Sequence, residues 1–385
     1  MFSVPLLLRA LPELIAIRHD LHAHPEIGFK EERTSRIVAD LLRSWNIEVH
    51  TGIGTTGVVG ILHGLDGPGP RIGLRADMDA LPMKEETGLP FASGTLGVFH
   101  GCGHDGHTAI LLGTARYLAE TRHFSGSVAF IFQPAEEGLG GARAMIEEGL
   151  FKRFPCDEIY GFHNWPDLPL GEVAVFAGPC MAGADFFDIT LRGTGSHGAM
   201  PHRSRDPIVA AGSLISSIQS IVSRNLDPIE SAVLSITKIH GGTAYNVIPS
   251  EVSLSGGVRY FNREVGATVA AELARIANGC AATYGMIADI NIRNVFDVTI
   301  NDERATAVAA GAAGQIVGVG RVSTTPSPSM GSEDFADMLA VVPGAYILLG
   351  HQGTIPLHHP EYWFDDDLIS VAVNILARII ESRKD

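Results

Sequence analysis

The feature of this sequence that most constrains its fold is an alternation of short apolar strands with amphipathic helices. Apolar runs bounded by Gly and Pro, such as Gly57–Leu62 and Ser127–Phe132, predict buried strands. The spacing of apolar residues over Glu31–Trp45 predicts a helix, and the pattern resumes after Asn294 with a helix over Arg304–Val317. Apolar strands that alternate with helices predict an α/β domain whose mixed, largely parallel sheet has helices on both faces.

The alternation is interrupted once, between residues 183 and 294. There the periodicity predicts a strand, a helix, two strands, a helix and a strand, at Asp185–Arg192, Pro207–Ser223, Ala232–Ile239, Val252–Tyr260, Val265–Tyr284 and Ile287–Ile292. This order, β-α-β-β-α-β, is the split βαβ arrangement of ferredoxin-like domains. We therefore predict an inserted ferredoxin-like α+β domain over residues 183–294. The flanking segments, 1–182 and 295–385, are predicted to form one discontinuous domain.

The net charge and the cysteine content of the chain limit the kinds of partner and the cellular compartment that we expect. The formal charge of −15 argues against nucleic acid or an anionic membrane as a partner, and no apolar run is long enough to cross a bilayer. The four cysteines are scattered without Cys-x-x-Cys spacing, which favours reduced thiols and a cytoplasmic protein. An anionic small molecule would need local Arg or Asn side chains to bind so acidic a protein.

The stretch His100–His107 concentrates side chains that bind metals. It contains His100, Cys102, His104, Asp105 and His107, with glycines between them. Imidazole and carboxylate groups are unfavourable to bury without partners, whereas thiolate and imidazole are preferred ligands of divalent metals. Cys102 and His104 lie two residues apart, so in an extended or turned segment their side chains point the same way. The stretch favours a metal site, with a polar loop that ends in a helix N-cap as the alternative; the helix is predicted over His107–Leu118.

Two adjacent carboxylates, Glu136 and Glu137, follow the predicted strand Ser127–Phe132. Open α/β sheets place their ligands beyond such strand ends. Since adjacent residues in an extended chain point in opposite directions, one carboxylate can bind a metal while the other acts on a water as a general base. A solvated acidic loop is the alternative.

Three further histidines lie near predicted strand ends or loops. His163 ends the strand predicted over Glu158–His163, where it is either a ligand or a hydrogen-bonded core residue. His358 and His359 form an imidazole pair near the C-terminus. Together with the earlier motifs, they place chemically active side chains at several strand ends of one domain.

These motifs resemble those of the M20 family of metallopeptidases, in the branch that holds hippurate hydrolase, N-acyl-amino-acid amidohydrolases and plant auxin-conjugate hydrolases. The resemblance covers nearly the whole chain and rests on seven segments in order: Leu21–Glu26, Arg75–Pro82, Gly101–Asp105, Gln133–Glu137, Gly161–Pro166, Gly331–Phe335 and Leu357–Pro360. It implies a dinuclear site for two divalent metal ions, zinc or manganese, the thiolate favouring zinc and the other ligands tolerating manganese. By motif position the implied ligands are Cys102, His104, Glu137, His163 and His358, and Glu136 is the implied general base.

Some assignments within the resemblance stay open. Where related M20 peptidases have a His-x-Asp motif that holds metal, this chain has Arg75-Ala76-Asp77. One familiar ligand is therefore missing, and a thiolate enters the site instead. Asp77 either orients a ligand or caps a helix or turn, and His359 is a rival to His358.

The inserted domain carries implied functional residues of its own. By resemblance, His197 belongs to a lid segment that reaches the active site of a partner subunit and donates a hydrogen bond to the developing oxyanion; the alternative is a cap for the helix that begins near Pro207. Asn246 and Arg259 match positions that hold the free α-carboxylate of the substrate, a role that suits the guanidinium fork. A surface ion pair is the alternative for Arg259. The resemblance also implies a homodimer formed through the inserted lid and dimerisation domain.

The implied activity is hydrolysis of the amide bond in small N-acyl amino acids, which releases a carboxylic acid and a free amino acid. Alternatives on the same fold are a ureido- or carbamoyl-amino-acid hydrolase and a dipeptidase. A non-catalytic metal-binding scaffold is a further alternative, against which the presence of Glu136 and His197 counts, because neither is needed merely to hold metal.

Overall fold

The computed structural model describes residues 4–383, with side chains from Arg9 onward. The chain divides into two compact units. The larger unit comprises Met1–Cys180, Thr299–Ser327 and Asp334–Asp385, and the smaller comprises Met181–Val298 and Pro328–Glu333. The segment predicted as an insertion, 183–294, lies inside the smaller unit, while residues 1–3 and 384–385 of the predicted larger domain lie outside the described part.

An eight-stranded mixed sheet forms the centre of the larger unit. Its strands are β1 (Glu48–Ile53), β2 (Gly57–His63), β3 (Arg71–Asp77), β4 (Ser127–Gln133), β5 (Glu158–Trp165), β6 (Val173–Ala174), β15 (Val322–Ser323) and β16 (Gly344–Gly350), in the order β1-β2-β4-β3-β5-β16-β6-β15. The four central strands β4, β3, β5 and β16 are parallel to one another, whereas β1 and β2 pair antiparallel with their neighbours. Strand β6 pairs antiparallel with β16 and parallel with β15. A mixed, largely parallel sheet is therefore confirmed.

Helices cover both faces of this sheet. They are α1 (Val4–Ala23), α2 (Glu32–Ser44), α3 (His104–Thr121), α4 (Gly141–Glu147), α5 (Leu150–Arg153), α8 (Glu303–Val317), α9 (Phe335–Leu339) and α10 (Asp367–Glu381). Alternate residues of β4, such as Phe130 and Phe132, share one apolar core with side chains of α1, α2, α3, α8 and α10. Ile131 points to the opposite face, where α4 and α9 contact β4 and β5. Among the described helices, none is both long and apolar enough to cross a membrane.

The smaller unit is built on an antiparallel four-stranded sheet with the order β10-β12-β8-β13. Its elements are β8 (Gly183–Arg192), α6 (Pro207–Ser220), β10 (Ala232–His240), β12 (Glu251–Tyr260), α7 (Arg263–Thr283) and β13 (Ile287–Phe296), with the short pair β9 (Ser196–His197) and β11 (Val247–Ile248). This is the predicted β-α-β-β-α-β order, and the strand arrangement is that of a split βαβ fold. Two further short strands, β7 (Gly178–Met181) and β14 (Thr299–Asn301), pair near the boundary between the units.

Two differences from the sequence-based prediction affect the site. Helix α3 begins at His104, not at His107, because Gly103 adopts a left-handed conformation (φ 92°) that starts the helix three residues earlier. His104 and His107 therefore lie one turn apart on the same helix. Strand β5 continues to Trp165, so His163 lies within the strand, not at its end.

Candidate metal centre

The carboxyl ends of three adjacent parallel strands bring the predicted ligands together. Strands β4, β3 and β5 are parallel neighbours in the sheet. The loop after Gln133, residue Asp77 and residue His163 therefore lie side by side at the carboxyl ends of these strands. His104, the first residue of α3, lies at the same strand ends, and Cys102 lies two residues before it in the chain. Ligand sites of open α/β sheets occupy this position.

All five residues predicted as ligands take part in this cluster. The Sγ atom of Cys102 lies 3.4 Å from Nε2 of His163 and 3.3 Å from Nε2 of His358. The same Nε2 of His358 lies 3.3 Å from Oε1 of Glu137. Cys102, His104 and His163 form one group whose potential ligand atoms lie within 4.8 Å of one another, and His104, Glu136 and Glu137 form a second. The two groups have His104 in common, so the potential ligand atoms of both are neighbours.

The protonation of His163 suits a metal ligand. Its Nδ1 donates a hydrogen bond to the carbonyl oxygen of Asn164 at 2.7 Å, which leaves the lone pair of Nε2 directed at Cys102. Burial, together with the positive charge of His107, holds the pKa of His163 well below its usual range. A neutral imidazole with one nitrogen fixed by a carbonyl is the form that binds metals.

Two buried atoms of the cluster have no hydrogen-bond partner among the described residues. They are Nε2 of His104 and Oε1 of Glu137, the latter lying near His358 without hydrogen-bond geometry. Leaving such atoms unsatisfied is unfavourable by about 1–3 kcal/mol each. Both are atoms that coordinate divalent cations, so the donor set fits a bound metal.

His104 is oriented by Asp79, a residue that the sequence did not single out. Nδ1 of His104 donates to the backbone oxygen of Asp79 at 3.0 Å and lies 3.2 Å from its Oδ1. Oδ2 of Asp79 accepts a hydrogen bond from the backbone N–H of Glu137 at 3.0 Å. Burial disfavours the imidazolium, but the charge of Asp77 and the hydrogen bond to Asp79 outweigh it and raise the pKa of His104 to about 10. The same carboxylates favour a metal cation at this place.

Asp77 lies beneath the cluster and contacts side chains, not a helix N-terminus. Its Oδ1 is 2.6 Å from Nδ1 of His107, and its Oδ2 accepts a hydrogen bond from Arg75 at 2.7 Å. Arg75 also donates to Oε1 of Gln133 at 2.8 Å and to Oδ1 of Asp334 at 3.1 Å, and it is fully buried. Burial opposes ionisation of Asp77, yet the charges of His104 and Arg75 hold its pKa well below the usual range. Of the two roles considered for Asp77, this geometry favours that of orienting neighbouring groups.

His358 and His359 differ in their surroundings. His358 reaches Cys102 and Glu137 from a backbone with φ 62°, and its N–H bonds to the carbonyl oxygen of Gly101 at 2.8 Å. His359 is exposed, as is His358, but its Nδ1 accepts a hydrogen bond from the backbone N–H of Glu361 at 3.2 Å, and among the described residues it belongs to no group of potential metal ligands. The geometry therefore favours His358 over its rival.

The other three predicted residues lie in the smaller unit. His197 on β9 pairs with Val247 on β11, and the N–H of Gly198 donates to the carbonyl oxygen of Asn246 at 2.7 Å, which brings His197 and Asn246 together. His197 is exposed and lines a groove of about 950 Å³. The cap alternative for His197 is wrong, because Asp206 caps the helix that begins at Pro207.

Arg259 lies apart from this pair, on β12. Its guanidinium donates to the hydroxyl of Ser332 and lies 5.8 Å from the centre of the Phe186 ring. No carboxylate among the described residues forms an ion pair with Arg259, so the surface-pair alternative is not what the fold shows. Burial lowers the pKa of the Arg259 guanidinium, although it stays charged at neutral pH.

The sequence analysis gave no role to Asp79, Asn164 or Asp334, and it named His107 only as a member of the metal-binding stretch. The signals that were available for the first three are the segments Arg75–Pro82, Gly161–Pro166 and Gly331–Phe335, which carried the family resemblance. What the sequence could not show is the pairing itself: Asn164 lies 2.6 Å from His107 across 57 positions of the chain, and Arg75 meets Asp334 across 259.

Comparison with known proteins identifies the family of this chain. The profile of Peptidase family M20/M25/M40 matches residues 73–382. The chain is 41% identical to hippurate hydrolase of Campylobacter jejuni, covering 98% of each chain, and 41% identical to N-acetylcysteine deacetylase of Bacillus subtilis, covering 95% of each. The crystal structure of the Bacillus subtilis YXEP protein, a dinuclear metal binding peptidase from the M20 family, superposes with a TM-score of 0.84 at 37% identity and covers 97% of this chain and 98% of that one. The resemblance predicted from the motifs is confirmed, and the chain belongs to peptidase family M20/M25/M40.

Proposed function

We propose that this chain is a metal-dependent amidohydrolase that cleaves the amide bond of N-acyl amino acids. The observation that carries the proposal is the cluster of Cys102, His104, Glu137, His163 and His358, with Glu136 beside it. Hippurate hydrolase and N-acetylcysteine deacetylase, the relatives at 41% identity, bear names of this reaction class. A carboxylate beside a metal-binding cluster is the arrangement that hydrolysis by an activated water requires.

The five clustered side chains are the proposed ligands of two divalent ions, zinc or manganese. When bound, such ions lower the pKa of a water toward about 7 and polarise a carbonyl group. Support comes from the unsatisfied atoms Nε2 of His104 and Oε1 of Glu137, and from the neutral imidazole of His163. The thiolate of Cys102 favours zinc, while the imidazole and carboxylate ligands also suit manganese.

Glu136 is the proposed general base. It is 6% exposed and lies in the group formed with His104 and Glu137. Its carboxylate takes the proton of the attacking water and passes it to the amine that leaves. Because burial limits access of bulk water, the proton stays within the site during the reaction.

The smaller unit supplies the proposed substrate-binding groups. His197 donates a hydrogen bond to the developing oxyanion in the active site of a partner subunit, which requires a homodimer formed through the inserted domain. Asn246 and Arg259 bind the carboxylate of the amino acid that is released. The proposal for Arg259 is supported by a guanidinium whose partner is a neutral hydroxyl, so a carboxylate can replace it.

The proposed compartment is the cytoplasm. None of the four cysteines, all among the described residues, forms a disulfide bond, and Cys102, a proposed ligand, must stay reduced to bind metal.

The test is release of free amino acid from N-benzoyl and N-acetyl amino acids. The assay is run on protein as purified, after chelation, and after zinc or manganese is added back. The proposal expects release that chelation abolishes and one of the metals restores, with Glu136→Gln as a variant that binds metal but is inactive. Release from N-carbamoyl amino acids alone would replace the substrate class, and no release with any substrate or metal would refute the proposal.

A further inference from the structure

Glu31 is a carboxylate in an unusual position. It stands at the N-cap of α2 and is fully buried, yet its side chain makes no capping hydrogen bond to the helix. Glu26 takes that role, since its carboxylate accepts from the backbone N–H groups of Arg33 at 3.0 Å and Thr34 at 2.8 Å. Burying a carboxylate is unfavourable unless it is hydrogen-bonded, so the partners of Glu31 indicate what it does.

Those partners lie in other parts of the larger unit. Oε2 of Glu31 accepts a hydrogen bond from the hydroxyl of Thr56 at 2.6 Å. Oε1 accepts from the backbone N–H of Ala135 at 2.9 Å, across 104 positions of the chain. Ala135 immediately precedes Glu136 and has φ 55°, a left-handed conformation that a residue with a Cβ rarely adopts without support.

The backbone is held on the other side of Glu136 as well. The N–H of Glu137 donates to the buried carboxylate of Asp79 at 3.0 Å. Packing is also tight here, because a Cβ added at Gly28 would lie 2.9 Å from the Cα of Ala135. Glu136 therefore sits between two backbone N–H groups, each bonded to a different buried carboxylate.

We propose that Glu31 is a positioning residue for the reaction: by accepting the N–H of Ala135 it holds the left-handed turn that directs Glu136 into the metal-binding cluster. This inference rests on the proposed function, in which Glu136 is the general base. The hydrogen bond does not require a negative charge, since a neutral carboxyl or an amide can accept from Ala135 with one oxygen and donate to Thr56 with the other group. The inferred role therefore requires a hydrogen-bond acceptor at position 31 and does not require a charge.

The test compares variants of Glu31 that differ in whether position 31 offers a hydrogen-bond acceptor. Glu31→Gln keeps an acceptor for Ala135, whereas Glu31→Met and Glu31→Ala remove it, and two such variants keep the test informative even when one of them does not fold. Glu26→Ala is the matched control, because it weakens the start of the same helix without touching the loop. For each protein we would measure kcat, KM, bound metal and hydrogen exchange of the peptide that spans residues 133–140.

Loss of the acceptor is expected to lower kcat by about 10- to 100-fold, the effect of a misplacement of about 1 Å, with KM changed by less than about threefold. Glu31→Gln is expected to stay within about threefold of the original kcat, and the metal content is expected to be unchanged in all variants. The hydrogen-exchange rate of the Ala135 N–H is expected to rise about tenfold or more only in the variants that lack the acceptor. The proposal is overturned if Glu31→Met keeps full kcat, if Glu31→Gln is as impaired as Glu31→Met, or if Glu26→Ala shows the same loss.

Hydrogen exchange separates this inference from the proposed function. If the unaltered protein hydrolyses no substrate, the proposed function fails, and the exchange rate of Ala135 still decides whether Glu31 holds the loop. Fast exchange at Ala135 in the unaltered protein would overturn the inference by itself.

Discussion

Replacing Glu31 with glutamine should stabilise the protein at alkaline pH and not at acidic pH. Glu31 is fully buried, and burial together with the nearby charge of Asp79 raises its pKa from 4.5 to about 7. The hydrogen bonds from Thr56 and Ala135 act in the opposite direction, but they do not offset burial. Glutamine has the same shape and keeps both partners, so the variant removes the ionisation alone.

The direction in which stability changes with pH follows from the number of protons bound by the folded and the unfolded protein. An acid whose pKa is raised in the folded state holds its proton more tightly there, so between pH 4.5 and about 7 the folded protein binds more protons than the unfolded chain. Stability therefore falls as pH rises through that window, and the full penalty is present above it. A shift from 4.5 to about 7 corresponds to about 3 kcal/mol. Glu31→Gln should gain about that much relative to the unaltered protein at pH 8.5 and little at pH 5.

The assay is urea unfolding of metal-free protein at several pH values, with chelator present throughout, because metal binding is itself pH-dependent. Glu32→Gln is the control, since it makes the same chemical change at the next position, which is exposed. A stability difference between Glu31→Gln and the unaltered protein that is the same at pH 5 and pH 8.5 would refute the reasoning. It would mean that Glu31 does not titrate in this window.

Three further predictions concern the proposed site. Glu136→Gln should keep its metal and lose about 10²-fold or more in kcat, measured by amino-acid release together with metal analysis; near-normal turnover would remove Glu136 as the base. His197→Ala should lower kcat by an amount equivalent to about 3 kcal/mol if it donates to the oxyanion, and an unchanged rate would leave it without that role. Asp79→Ala should weaken metal binding by about 10- to 100-fold, because it orients His104 and the backbone of Glu137; equal affinity in a chelator competition would contradict this.

Much of the fold was predictable because periodicity depends on local sequence. The strands Gly57–His63 and Ser127–Gln133 each extend one residue beyond the predicted apolar run, since the last polar residue is added by pairing with neighbouring strands that the run does not reveal. Strand β1 was missed because Glu48–Ile53 is polar and mostly exposed, so it carries no apolar signal. The early start of α3 depends on the left-handed conformation of Gly103, which the glycine permits but does not require.

The proposed ligands could be predicted because the motifs specify which residue type stands at each position. The residues that orient those ligands could not be predicted in this way. The five proposed ligands come together as the motifs implied, yet of the residues that orient them only Asp77 was considered from the sequence. Asp79 and Glu31 act through backbone N–H groups of residues 137 and 135, and a backbone group leaves no mark in the sequence. Contacts of this kind follow only from the course of the chain.

The charges around Asp77 bear on the proposed role of the Cys102 thiolate as a metal ligand. Both oxygens of Asp77 are engaged, one by His107 and the other by Arg75, a fully buried cation. The guanidinium of Arg75, 2.7 Å from Asp77, balances part of the charge of this carboxylate and so reduces the negative charge that Asp77 presents to the cluster. Under the proposed function, the thiolate of Cys102, which lies between His163 and His358, would supply further negative charge to the ions together with Glu137. On this proposal, Arg75 reduces the charge that Asp77 contributes to the site, and Cys102 restores it.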